Sequence, residues 1–181
     1  MVTGVKDSSI SNLLYNTTSF SWLWLILRVY VGWEWVDAGW NKLFNPAWTG
    51  AKAGVAVQGF LTKALEKASG PHPDVQDWYA AFVQNIALPN SVVFSYLVTY
   101  GEIAVGIGLI LGALTGVAAF FGALMNMNYL LAGTVSINPV LLIGQIFIML
   151  AWKVAGWYGL DRFILPFWDV FNKSEKSSKK G

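Results

Sequence analysis

Four ionisable residues, Arg28, Glu34, Asp37 and Lys42, stand inside one apolar stretch, 20–44, of a chain that is 55% hydrophobic and 12% charged. A further acid, Glu102, and two amides, Asn126 and Gln145, interrupt later apolar stretches. Carboxyl groups in such surroundings can hold or pass a proton, and a guanidinium or ammonium beside them can hold a ligand oxygen. Placing them in lipid is costly. Glu34 and Asp37 together cost about 5 to 7 kcal/mol, against about 3 to 6 kcal/mol returned by the ten aliphatic and Phe residues of the stretch. That helix is marginal alone, so it must meet partner groups on neighbouring helices or keep a carboxyl protonated.

The elements that must position these groups read as an all-α membrane protein, a four-transmembrane-helix bundle in a single domain, 1–181. The mean hydropathy is +0.50, and apolar runs over 19–44, 91–113, 115–133 and 139–157 are each near the length that crosses a bilayer. Between the first two runs lies a connection, 45–90, too long for a bundle turn and therefore structured. In it Val57, Phe60, Leu61, Ala64, Leu65 and Ala68 recur at helical spacing opposite Lys63, Glu66 and Lys67, which predicts an amphipathic helix. After Gly70-Pro71, Asp74 is placed to cap a second helix with Trp78, Phe82 and Ile86 on one face. Together they form an outer helical loop, read either as an interfacial lid or as a gate above an outward-opening pocket.

Lys6 and the six Lys and Arg residues of 153–180 outnumber Lys42, Lys52, Lys63 and Lys67, so both termini are expected in the cytoplasm, with 158–181 as a cytoplasmic tail. The Lys-rich end, 173–181, is expected to fray and to touch anionic lipid. Residues 1–18 are polar and lack the apolar core and cleavage site of a signal peptide.

Counting the helical rise from the cytoplasmic end puts Arg28 at about 12 Å, Asn126 at about 15 Å, Glu102 at about 16 Å, Gln145 at about 18 Å, Glu34 at about 21 Å and Asp37 at about 25 Å. These depths form a belt near mid-membrane, expected to close into one shared polar chamber, with Arg28 paired to Glu102, its nearest acid in depth. Helical phase sets Glu34, Asp37 and Asn41 on one face of the first span and Arg28, Trp35 and Lys42 on another. Ala104, Gly108, Gly112 and Gly116 form a small-residue seam for close helix approach. Asn126 lies on a stripe with Ala119 and Gly122, where it can bond a neighbouring helix, while Asn128 faces the other way. Trp33, Trp35 and Trp40 flank Glu34 and Asp37, giving either an aromatic wall for a flat neutral ring or plain packing against lipid and helices.

Other chemistries are excluded. The chain has no cysteine, which removes disulfides, thiolate nucleophiles and its own iron–sulfur ligation. Its one histidine, His72, sits in a Gly-Pro-His-Pro turn, so a His-rich metal or bis-histidine haem site is not available. No flavin-binding glycine loop is present. The net charge of +2 is too small to argue for nucleic acid.

The run from Arg28 through Gly32, Glu34, Gly39, Lys42 and Leu43, followed by Gly101-Glu102 and by Gly106, Gly108 and Gly112, resembles the DoxX and DoxD family of small prokaryotic membrane proteins. The stretch 118–139, with Met125-Asn126-Met127-Asn128-Tyr129, is similar too. The resemblance implies a prokaryotic cell-membrane location. Through DoxD-type members it also implies the membrane subunit of a thiosulfate:quinone oxidoreductase associated with a quinol oxidase, with a quinone as electron acceptor and with partner subunits. The resemblance carries over Arg28, Glu34, Lys42 and Glu102; taken with the residue chemistry above, Glu34, Asp37 and Glu102 are the candidate catalytic, proton-transfer residues, and Arg28, Lys42, Trp33, Trp35 and Asn126 the candidate substrate- or quinone-binding residues. Two other readings stay open: an accessory subunit that stabilises a respiratory complex, and a small proton-coupled transporter.

Overall fold

A computed structural model describes residues 8–167, and all regular structure among them is helical. The order is α1 (Ser9–Tyr15), α2 (Ser21–Leu43), α3 (Pro46–Thr49), α4 (Val55–Glu66), α5 (Asp77–Phe82), α6 (Ser91–Leu111), α7 (Thr115–Leu131), α8 (Asn138–Leu150) and α9 (Trp152–Ala155). Residues 161–167 are helical as well. The lysines of the expected Lys-rich end lie outside the described residues.

The long helices start and stop close to the predicted spans. At α6 the end is set by Gly112, whose φ of 64° is the left-handed conformation that closes a helix and that glycine adopts without steric cost. Of the described helices, α6 is the one both long and apolar enough to cross a membrane on its own, at 21 residues and a mean hydropathy of 1.6. Helix α2 has 23 residues but carries the four charges, while α7 and α8 have 17 and 13 residues. The predicted run 139–157 is thus broken at Ala151, where α8 ends and α9 begins.

Polar groups lie inside and apolar groups outside. Arg28, Glu102, Asn126, Gln145 and Asp161 are at most 2% exposed, whereas Trp33, Leu97, Phe121, Ile143 and Phe147 face outward. A water-soluble domain sorts these residue types the other way, so the perimeter suits lipid.

The closest packing is between α2 and the antiparallel α6, and it runs through different glycines from the predicted seam. A methyl group at Gly106 would lie 2.7 Å from the Gly32 carbonyl oxygen, and one at Gly39 would lie 3.0 Å from the Ile103 nitrogen. Ala104 is exposed, while Gly108 packs against Ala118 of α7. The reason is phase: Ser95, Thr99, Glu102 and Gly106 share the face of α6 that α2 covers, and small residues there let the backbones meet.

The outer loop folds as two helical pieces, with one correction. Helix α4 buries Val57, Leu61 and Ala64 as its periodicity requires. The second piece begins at Asp77 after Gln76, not at Asp74, and continues into a π-turn, Val83–Ala87. Its buried face is Val75, Tyr79, Val83 and Ala87, whereas Trp78 and Ile86 are more than half exposed. The inward face is set by the later start of the helix, which turns Tyr79, Val83 and Ala87 toward the bundle and Trp78 and Ile86 away from it.

Candidate functional site

Helices α2, α6 and α7 and the start of α8, roofed by α4 and α5, line a half-open cavity of about 640 Å³. Trp35, Phe60, Phe82, Phe94 and Leu141 form much of its apolar lining. Tyr129 is held edge-on to Phe60 and stacked on Trp35, with ring centroids 6.0 and 6.5 Å apart.

Three polar side chains converge on this space. Lys42 Nζ lies 2.7 Å from Glu102 Oε2, and the Tyr129 hydroxyl donates to Glu102 Oε1 at 2.7 Å. Both carboxylate oxygens are therefore bonded, although Glu102 is only 1% exposed. Lys42 is 20% exposed, lies 3.4 Å from the Ala38 carbonyl oxygen, and rests 5.1 Å from the Trp48 ring. An ammonium carries three N–H donors, so one remains for a ligand. Glu34 and Asp37 also line the cavity, Glu34 half-buried and Asp37 exposed. The latter accepts from the Asn41 amide at 3.3 Å.

The roof is tied to the outer end of α7. Tyr79 donates to the Asn128 carbonyl oxygen at 3.0 Å, and Lys67 Nζ to that of Gly133 at 2.6 Å. Burial pushes the Tyr79 phenol up to about 12, so near neutral pH it stays a donor. Asn128 itself lines the cavity.

Arg28 does not pair with Glu102. Its Nη1 donates to the carbonyl oxygens of Leu109 and Ile110, both at 2.6 Å, and Nη2 to that of Tyr158 at 2.8 Å. Register and direction explain this. Glu102 packs beside Gly39, about 16 Å along α2 from Arg28. Side chains lean toward the N-terminus of their own helix, so on antiparallel helices Arg28 leans away from the cavity while Glu102 and Lys42 lean toward each other.

Arg28 thus binds the last carbonyls of α6, the negative end of the helix dipole. Asp161, which the sequence reading passed over, completes that junction. It is 2% exposed and accepts from the backbone N–H groups of Leu114 and Thr115 at 2.6 and 2.8 Å, which caps α7. A lone acid just after the last apolar run, set beside a helix start without its own capping side chain, was the available signal.

The expected single chamber is therefore split. Lys42, Glu102, Glu34, Asp37 and Trp35 meet at the cavity. Arg28 sits at the far end of the bundle, Trp33 is 63% exposed on the outer surface, and Asn126 is fully buried, donating to Gln145 Oε1 at 2.7 Å between α7 and α8. Tyr129, in the sequence no more than a member of the Met125–Tyr129 stretch, joins the site through its bond to Glu102. Among the described residues, no three His, Asp or Glu side chains gather as a metal site.

Fold and site together define a class: an all-helical membrane protein with a roofed apolar cavity and a buried, hydrogen-bonded ion pair at its wall. The chain belongs to the DoxX family, whose model matches residues 23–134, from the start of α2 to just beyond α7, and which is a family of membrane proteins. No curated protein and no solved structure matches it.

Proposed function

We propose that the protein is a membrane subunit of a quinone-linked oxidoreductase whose cavity receives the quinone head group. In this reading α2, α6, α7 and the α8–α9 pair cross the bilayer, both termini face the cytoplasm, and the roof lies on the outer side. The carrying observation is the Lys42–Glu102–Tyr129 cluster set into an aromatic-lined space large enough for a ring. Arg28 and Asn126 are committed to backbone and amide partners, and Trp33 faces outward, so the quinone-binding role narrows to Lys42 and Trp35.

A quinone carbonyl accepts hydrogen bonds, and reduction to the quinol takes two electrons and two protons. The remaining Lys42 donor can hold one carbonyl oxygen. Glu102, bonded on both sides, can pass protons between the reduced ring, Tyr129 and the carboxyls of Glu34 and Asp37 nearer solvent. The electrons come from a donor on a partner polypeptide, and in DoxD-like assemblies that donor is thiosulfate.

The test is to purify the native assembly, identify its partners and measure thiosulfate-dependent quinone reduction with wild type and Glu102→Gln. Loss of turnover with assembly intact supports the reading, and normal turnover removes Glu102 from the mechanism. The accessory-subunit reading draws support from Arg28, a buried charge whose two terminal nitrogens join α2 to the end of α6 and to the Tyr158 carbonyl. It requires that Glu102→Gln weaken assembly instead of turnover.

A further inference from the structure

Resting on the quinone reading, the charges around this cavity separate the ligands it accepts from those it rejects. Its lining holds three carboxyl groups, Glu34, Asp37 and Glu102, and one ammonium, Lys42. The ammonium is already bound to Glu102 at 2.7 Å, so no unneutralised cation faces the space. The phenols are committed as well: Tyr129 donates to Glu102 and Tyr79 to the Asn128 carbonyl. Glu34 and Asp37 are less buried than Glu102 and belong to the same wall.

An anion in this space therefore faces two carboxylates and an ion pair with no net charge to offer. Like charges in a partly dry cleft repel, and water screens them less there than in bulk. An uncharged ring loses nothing to these groups and gains the aromatic wall of Trp35, Phe60 and Tyr129.

We infer that the cavity admits uncharged ring compounds and turns away anions, sulfur oxyanions among them. An anionic sulfur donor is therefore not oxidised inside this cavity.

The experiment measures equilibrium binding of three probes to the purified protein in nanodiscs of zwitterionic lipid: naphthoquinone, its sulfonamide and its sulfonate. The sulfonamide matches the sulfonate in size without the charge. Naphthoquinone and the sulfonamide are expected to bind alike and the sulfonate at least about tenfold more weakly, the gap narrowing as salt screens the outer carboxylates. The double variant Glu34→Gln and Asp37→Asn, at positions that are not fully buried, should bring the sulfonate within about threefold of the sulfonamide.

Equal binding of sulfonate and sulfonamide overturns the charge inference and leaves the quinone reading standing. Rejection of the sulfonamide as strongly as the sulfonate assigns the effect to size and also overturns it. Failure of all three rings to bind defeats the quinone reading and the inference together.

Discussion

Lys42 reaches inward from the C-terminal end of α2 to place its ammonium 2.7 Å from Glu102, so the ion pair joins the first and second long helices at the cavity wall. The side chain points down the bundle because helical side chains lean toward their N-terminus, and Glu102 on the antiparallel α6 leans up to meet it.

Removing one partner leaves the other charge buried. Lys42→Met is expected to destabilise the protein by about 3 to 5 kcal/mol, while Lys42→Met combined with Glu102→Leu recovers most of that loss. Unfolding midpoints in detergent check both. An additive double variant shows that the two side chains do not interact.

For turnover the expectation differs. Glu102→Gln keeps the shape and one acceptor oxygen but loses the carboxylate that takes both the Lys42 and Tyr129 donors, and quinone reduction is expected to fall about 100-fold or more, with Tyr129→Phe losing less. Steady-state rates on intact assemblies decide it.

Arg28→Met should be costly without touching the cavity. It strips donors from the Leu109, Ile110 and Tyr158 carbonyls, and a loss of about 3 kcal/mol is expected with quinone affinity unchanged in the protein that folds. Gly112→Ala should mimic it, since the added methyl would lie 2.9 Å from Arg28 Cζ at a φ of 64°. A lowered affinity with unaltered stability in Arg28→Met would return Arg28 to the ligand site.

Asp161→Ala removes the acceptor for the Leu114 and Thr115 N–H groups and is expected to cost about 1 to 2 kcal/mol. Leu114 sits at a φ of 49°, a conformation a leucine keeps only when held, so amide exchange at the start of α7 should rise in the variant.

Helix contact gives a paired control. Gly106→Ala places a methyl 2.7 Å from the Gly32 carbonyl oxygen and should cost about 1 to 3 kcal/mol, whereas Ala104→Leu, on the exposed face, should change stability little. A larger loss for Ala104→Leu than for Gly106→Ala would place the close helix contact on the Ala104 side instead.

The helical class, the limits of α2, α6 and α7 within a few residues, the presence of a helical loop between the first two long helices, and the separation of Arg28, Trp35 and Lys42 from the face of Glu34 and Asp37 were legible in the sequence. Those are local properties, written in apolar run length, helical phase and the glycines and prolines that end a run. Tertiary structure alone decided that Glu102 meets Lys42 and Tyr129 instead of Arg28, that Asn126 is spent on Gln145, and that Asp161 caps a helix 46 residues before it. Depth counted along separate helices ranks the polar groups, but the register between α2 and α6 is fixed by where Gly32, Gly39 and Gly106 let two backbones touch. A sliding error of two or three turns is invisible in either helix alone, yet it decides which charges share a cavity and which hold the bundle together.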